Sequence, residues 1–490
     1  MTAETHPLAG VRAPGSGVAA RVDRLTWGVN DPAIDAVHAQ GFDPYLSSQL
    51  RARPAVLPAA IQAQIDAMTI SQQPAETLVP ALEDRRKAAD AMPDDQDKKA
   101  AQQAYQQELN RLAREAASRH LLRAIYSDQQ VLEEMTWFWM NHFSVHQYKG
   151  NIRAMLGDYE EHAIRDHALG RFRDLLGAVA HHPVMLRYLD NEQNAAGHVN
   201  ENYARELMEL HTLGVDAGYT QGDVQELARV LTGVGINLTD KTPQVRRDLQ
   251  GYYVRRGLFE FNPNRHDFGS KQLLGQPIAS RGLGELDEAL DRLAQHPATA
   301  RFISRKLAVF WVSDTPSPQL VQAMAATFTR THGDIAQTLQ AMFATPEFWQ
   351  SHKFKDPTRF VVSAVRAAYD GRPILNTGPI VGWLNRLGEP LYGRQTPDGY
   401  PLDSTSWTSA GQMNTRFEIA KAIGSGNAGL FRAEGTEGAG QPAFPQMSNA
   451  LFYSWRVDTL GTATRQALAE AGSPQEWNTF LLSSPEFMQR

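Results

Sequence analysis

The sequence predicts a mainly α protein: a multi-helix, bundle-like single unit with one small inserted β-ribbon. Three observations lead there. Apolar residues recur at helical spacing along most of the chain. Helix-start signals recur between these segments, as at Thr220 with Asp223, Thr345-Pro346-Glu347 and Ser484-Pro485-Glu486. Each offers a hydroxyl cap, and the last two add a proline at the first helical position. Only the stretch between Ile236 and Gly275 changes period. With 490 residues, 42% of them hydrophobic and 21% charged, the chain can bury the large core such a bundle needs.

Residues 1–22 contain Gly, Ala and Pro and read as a flexible lead-in. Helical periodicity begins near Arg24, and residues 23–388 are expected to form the helical main domain. From Thr77 to Ala117 the chain is charged and Ala/Gln-rich; PDDQDKKAAQQAYQQELNRLAREAA, after the Met92-Pro93-Asp94 break, reads as a long amphipathic helix. A solvated helical hairpin is the expected outcome and a partner-binding arm the alternative. Ser127, with Gln130 three residues on, has capping-box spacing and is expected to open the next helix, VLEEMTWFWMNHF. That segment is apolar around most of its circumference, which places it centrally. RFRDLLGAVAHHPVMLRYLDN follows as another apolar helix. Alternation at Leu258, Phe259 and Phe261, before the Asn262-Pro263-Asn264 turn, predicts the β-ribbon within 236–275. Residues 389–446 turn rich in Gly and Pro around Tyr392, Tyr400 and Trp407 and are expected as a long loop region. Residues 447–490 are expected as C-terminal helices packing on the main domain.

The segment Asn200 to Val215, NENYARELMELHTLGV, carries more charge than a core helix ordinarily holds. At about 100° per residue, Asn202, Glu206 and Glu209 fall within roughly 60° of one another, and Glu201, Arg205 and Glu209 form an i, i+4 ladder. His211 points roughly 160° away, among Ala204, Leu207 and Met208, and is expected in the core. Buried carboxylates need partners or shifted pKa values, and such groups cluster at functional sites. Glu206 and Glu209 are therefore candidate catalytic residues, with Asn202 and Arg205 as candidate substrate contacts.

The loop beside the ribbon gathers Arg265, His266, Asp267 and Lys271. His266 and Asp267 join the catalytic candidates and Lys271 the substrate-binding ones, since loops on a rigid scaffold often deliver such groups; an Asp267-Lys271 structural clasp is the alternative. Asp190, with Asn191 and Asn194, would line the same cavity or cap a helix end. His142 and His146 have the i, i+4 spacing of two ligands to one zinc or iron, against a buried His142 and a helix-capping His146. His181-His182 before Pro183 reads as a helix-start pair.

Long motifs then point to a family. They are WFWMNHFSVH at 137–146, HALGRFRDLLGAVAHHPVMLRYLDN at 167–191, the Asn200 to Val215 motif, GYTQGDVQELARVLTG at 218–233 and FNPNRHDFGSKQLLG at 261–275. RLTWGVNDPAIDAVHAQGFDPYLSSQL near the start and SPEFMQR at the end extend them over nearly the whole chain. In these the chain resembles the bacterial domain-of-unknown-function family numbered 1800. One position departs: Val234 stands where similar proteins usually carry tryptophan, which removes an aromatic stacking role there. The resemblance implies a fold and no activity.

The formal charge of −6 gives no global reason for nucleic-acid binding, and no run of about 18 apolar residues could cross a bilayer. No secretory signal is visible in MTAETHPLAGVRAPGSGVAARVDRL, so cytoplasmic residence is the default expectation. An exported or periplasmic mature form is the alternative, because similar proteins are often exported. Without cysteine there are no disulfides, thiolate nucleophiles or cysteine-ligated metals. Walker A, HExxH, GxGxxG and Gly-x-Ser-x-Gly signatures are missing as well. What remains is a carboxylate-based or metal-assisted hydrolase acting on a polar or carbohydrate-like substrate, small molecule or polymer. One of Glu206 and Glu209 would be its general acid. A glycosidase needs carboxylates on opposite sides of the bond, so a second would come from elsewhere, such as Asp267 or Asp190. The alternatives are a non-catalytic helical scaffold, in which Glu201, Arg205 and Glu209 close into salt bridges, and a metal-dependent redox enzyme using His142, Glu206, Glu209 and His266. A divalent metal is the cofactor to test.

Overall fold

Every residue of the helix Gln130–His142 is buried. QVLEEMTWFWMNH has no polar face to give to water and so takes the centre of the molecule. The computed structural model describes residues 17–51, 53–239, 241–369, 371–433, 444–449 and 460–490. Among the described residues helix covers 61% and strand 4%, the mainly α class that the periodicity predicts.

The expected lead-in falls largely outside the described residues, yet helix begins earlier than expected, at Val18–Leu25, where Ala19, Val22 and Leu25 make one buried stripe. Ala75–Asp90 and Asp95–Tyr126 form the predicted hairpin, and the Asp94 carboxylate caps the second helix by accepting from Gln96 N and Asp97 N. Only its outer part is solvated: Leu78, Leu82, Tyr105, Leu109 and Leu112 are buried, and the last turns of the long helix run into the core. Two expected helix starts differ. Ser127 ends the long helix rather than opening the next; its hydroxyl accepts from Gln129 N at 3.0 Å, and Gln130 turns back to donate to Ser127 O at 2.8 Å. Ser484 caps a turn, accepting from Phe487 N at 3.1 Å, with no helix beyond it.

The apolar stretch after Arg171 is two helices, Phe172–His181 and Pro183–Tyr188, because Pro183 cannot continue the first. His182 caps the second by accepting from Val184 N. The ribbon is a three-stranded antiparallel sheet in which β3, Phe259–Phe261, lies between β1, Val234–Ile236, and β2, Val254–Arg256. Phe259 and Phe261 face the core while Glu260 lies between, the alternation that the sequence predicts. β4, Gln272–Leu273, and β5, Gln276–Pro277, add a small hairpin whose turn residues, Leu274 and Gly275, both have positive φ. Within the stretch expected as loop, Ala410–Gly424 is helical, capped by Ser409 and anchored by Ile419, Ala420 and Ile423. The helices Thr462–Glu470 and Pro474–Leu482 follow. Glu134 on the central helix ties distant parts together: it pairs with Arg359 and, at 3.3 Å, with Arg490, all three buried. Arg24 from the first helix donates to the carbonyls of Phe348, Val312 and Arg490.

Candidate functional site

The charged segment forms the helix Asn202–Glu209, with Tyr203, Ala204, Leu207 and Met208 buried. It stops where Leu213 N reaches back to Met208 O at 2.8 Å and the Thr212 hydroxyl donates to Leu207 O at 2.7 Å, with Gly214 at φ +83°. The opposite face holds Arg205, Glu206 and Glu209, all half-buried; Asn202, at the start of the helix, is exposed and donates to Leu189 O at 3.2 Å. The ladder closes at one end only. Arg205 pairs with Glu201 at 3.0 Å, and Gln221 bridges the two, whereas Glu206 and Glu209 have no side-chain hydrogen bond or ion pair among the described residues. Burial, then the charges of Glu209 and Asp398, hold the Glu206 carboxyl above its usual range; Arg205 offsets this only in part.

Asp398, which the sequence reading missed, arrives on the loop between Glu389 and Ser409. Its place follows from local chemistry. Asn141 clasps the backbone of Tyr400 both ways, accepting from its N–H at 2.6 Å and donating to its carbonyl at 3.0 Å. Gly399, at φ +78°, lies so close to the Asn141 carbonyl that a Cβ would collide with it. The Tyr392 hydroxyl donates to buried Glu160 at 2.6 Å and pins the start of the loop. Asp398 accepts from Arg394 at 2.8 Å and from the Thr396 hydroxyl at 2.5 Å. Burial pushes its carboxyl up, but these bonds outweigh it and leave the group below its usual range. Tyr188 feels burial, Asp398 and Glu206 together, and its phenol is pushed up to about 12.

A second missed group lies beneath. Lys306 Nζ donates to His142 Nδ1 at 3.0 Å, and His142 Nε2 faces the His211 carbonyl at 3.1 Å. A carbonyl only accepts, so the His142 proton sits on Nε2 and Nδ1 is the acceptor. Lys306 keeps some solvent contact, yet its ammonium is densely surrounded and has no carboxylate in ion-pair reach among the described residues; burial pushes it down to about 8, with Asp398 pulling the other way. Burial and Lys306 hold both imidazoles far below their usual range, His211 at about 3. As its phase predicts, His211 is core, 5.0 Å from the Phe143 ring, and neither of its ring nitrogens is hydrogen-bonded among the described residues. No spacing signal in the sequence joins Lys306, Asp398 and His142; the fold alone does.

The remaining candidates do not converge on Glu206. His266 is enclosed, with Glu285 at 3.2 Å from Nε2 and the Thr232 carbonyl at 2.7 Å from Nδ1. Lys271 is buried against Glu285 at 2.7 Å. Asp267 is clasped by Arg229 at 2.8 Å rather than by Lys271, which reaches only its backbone carbonyl, and that Arg229 bond holds the Asp267 carboxyl at about 2. No hydrogen bond or ion pair links these groups to Glu206 or Glu209 among the described residues. Asp190 pairs with Lys149 at 2.7 Å, and Asn191 and Asn194 brace the backbone of 228–234. The helix carrying His142 ends there, so the two histidines do not share one helix face, and both His142 ring nitrogens are engaged, by Lys306 and the His211 carbonyl. Among the described residues no three His, Asp or Glu side chains are grouped to hold a metal ion.

A family model described as a protein of unknown function, DUF1800, matches residues 21–489. The chain belongs to the DUF1800 family. No curated protein and no solved structure matches it. Glu206, Glu209, Asp398, Lys306 and His142 all lie within the matched region of this DUF1800 chain. Chemically, the arrangement offers one carboxyl biased toward its protonated form and one biased toward ionisation, with a lysine amine bonded to His142 and lowered by burial to about 8. No helix among the described residues is long and apolar enough to cross a membrane.

Proposed function

We propose that the chain is a hydrolase acting on a polar, hydroxyl-bearing substrate at the Glu206–Glu209 face, with Glu206 as general acid and Asp398 as the ionised partner. The observation that carries this reading is the opposed bias of the two groups: Glu206 is held above its usual range and Asp398 below it. Two carboxyls pushed apart in this way divide the labour of donating a proton and receiving one. Glu206 would protonate the leaving oxygen while Asp398 takes the proton of the attacking water. They come from a helix and from a loop, so the pair is not confined to side-by-side positions on one helix face. This reading takes Asp398 as the second carboxylate in place of Asp267 and Asp190 because Glu206 feels its charge, although Asp398, like them, is ion-paired, to Arg394.

The test is hydrolysis of soluble glycans and nitrophenyl glycosides, read beside thermal melts. Glu206→Gln keeps shape and removes the charge, so turnover should fall at least about 100-fold. The melting temperature should hold or rise, because an unpaired half-buried carboxylate is relieved. A destabilised Glu206→Gln protein with full turnover would retire the reading. The closed contacts of Arg205 with Glu201 and Gln221 favour a second reading, a helical scaffold. It expects Glu201→Gln to lower the melting temperature and no substrate in the panel to be cleaved.

A further inference from the structure

The helices Pro297–Trp311 and Pro318–Arg330 form a hairpin across the short connection 312–317, and an open groove of about 810 Å³ lies along them. It occupies a different face of the first helix from Lys306. Its floor is made of small apolar side chains, including Ala300, Val321 and Ala325, and its rim carries Arg301, Arg305 and Arg330. No acidic residue lines it. Arg301 and Arg305 are exposed and make no side-chain hydrogen bond or ion pair among the described residues, and Arg330 donates only to the Thr327 hydroxyl, at 3.2 Å. Elsewhere on the surface, Arg86 and Arg173 each pair with two carboxylates. The groove is thus a place where cations are collected over an apolar surface and left uncompensated.

We propose that this groove binds a single-chain amphiphile with an anionic head, of the long-chain carboxylate class. Charge complementarity fixes the head: the guanidiniums offer forked donors that match a carboxylate. The hairpin sets Arg330 beside the Pro297 end, close to Arg301, with Arg305 about one turn further along. The head belongs there, and the tail runs over the alanine floor toward Pro316 and Pro318. The 13-residue second helix is about 20 Å long, more than the ~15 Å spanned by the acyl chains of one bilayer leaflet. The cavity volume lies within the range of small-molecule sites. The site stands independently of the hydrolase reading, since none of its lining residues belongs to the carboxylate face.

Calorimetric titration of the full chain with octanoate, decanoate, dodecanoate and tetradecanoate, each below its micelle concentration, tests it. Affinity should tighten with length, by up to about fourfold per added methylene. Tetradecanol should bind at least tenfold more weakly than tetradecanoate. A double Arg301→Ser, Arg330→Ser variant should lose tenfold or more for tetradecanoate with an unchanged melting temperature. Ala326→Trp, at an exposed lining position, should block the groove while every charge remains. Equal binding of the alcohol, no dependence on chain length, or unaltered binding by both variants would overturn the proposal. So would binding to phosphatidylglycerol vesicles, or to an acidic amphipathic peptide, without binding of monomeric tetradecanoate; those outcomes would assign the groove to a membrane surface or a protein partner.

Discussion

Lys306 has a histidine, not a carboxylate, as its partner, and keeping it charged in dense surroundings costs stability. The sign of the effect follows from the two states. In the folded chain the ammonium gives up its proton near pH 8, whereas unfolded it holds the proton to about 10.5. The cost is therefore present below pH 8 and relieved as pH rises through it. Stability should climb between pH 8 and 10 by at most about 1.4 kcal/mol per pH unit, less what the residual solvent contact of the lysine screens. Denaturant melts of Lys306→Met should lack that climb; an unchanged slope would place the effect on another group. The partner of Lys306 was not legible in the sequence. His142 invited a pairing with His146 on one helix face, and the true neighbour lies on another helix, 164 positions away. His211 is in the core, as the phase of its segment placed it, although the helix ends at Glu209 and the turn that follows, with His211 N bonded to Glu206 O at 3.1 Å, is what sets it there.

Among the elements, the loop from Glu389 to Ser409 has little regular structure and specific anchoring. Composition marked it as long and aromatic, but not that Asn141 reads its backbone or that Gly399 must lack a side chain. Gly399→Ala introduces both a positive-φ penalty and a collision with the Asn141 carbonyl. It should lower stability by roughly 2–4 kcal/mol in urea melts and, under the proposed hydrolase reading, lower turnover by displacing Asp398. An alanine variant as stable as the parent would mean that the loop has room to move. Helix boundaries were legible where caps are local, as at Thr220, whose hydroxyl and Asp223 make the full capping box. They were misread where the same signal serves the preceding helix, as at Ser127. The ribbon was legible from alternation at Phe259 and Phe261; that its third strand begins at Val234 depends on pairing across 23 to 27 residues, which no local pattern encodes.

For the whole molecule, the buried cluster of Glu134, Arg359, Arg490 and Arg24 joins the first helix, the central helix and the last residues into one network. Removing the Glu134 carboxylate takes the ion-pair partner from two guanidiniums, Arg359 and Arg490, so Glu134→Gln should lose about 3–5 kcal/mol. Calorimetry should record that loss as a shift of one transition. Two separated transitions would divide the helical unit that periodicity predicts. The fixed, neutral state of His142 and His211 also sets the proton inventory of the fold. The native chain leaves these two imidazoles out of its buffering near pH 6, while the unfolded chain binds a proton on each. Acidification below about pH 6.5 therefore drives unfolding by proton uptake, at up to about 2.7 kcal/mol per pH unit for the pair. The two rings that make the centre of the bundle well packed at neutrality are, in acid, a reservoir of unfilled proton sites that only the opened chain can fill.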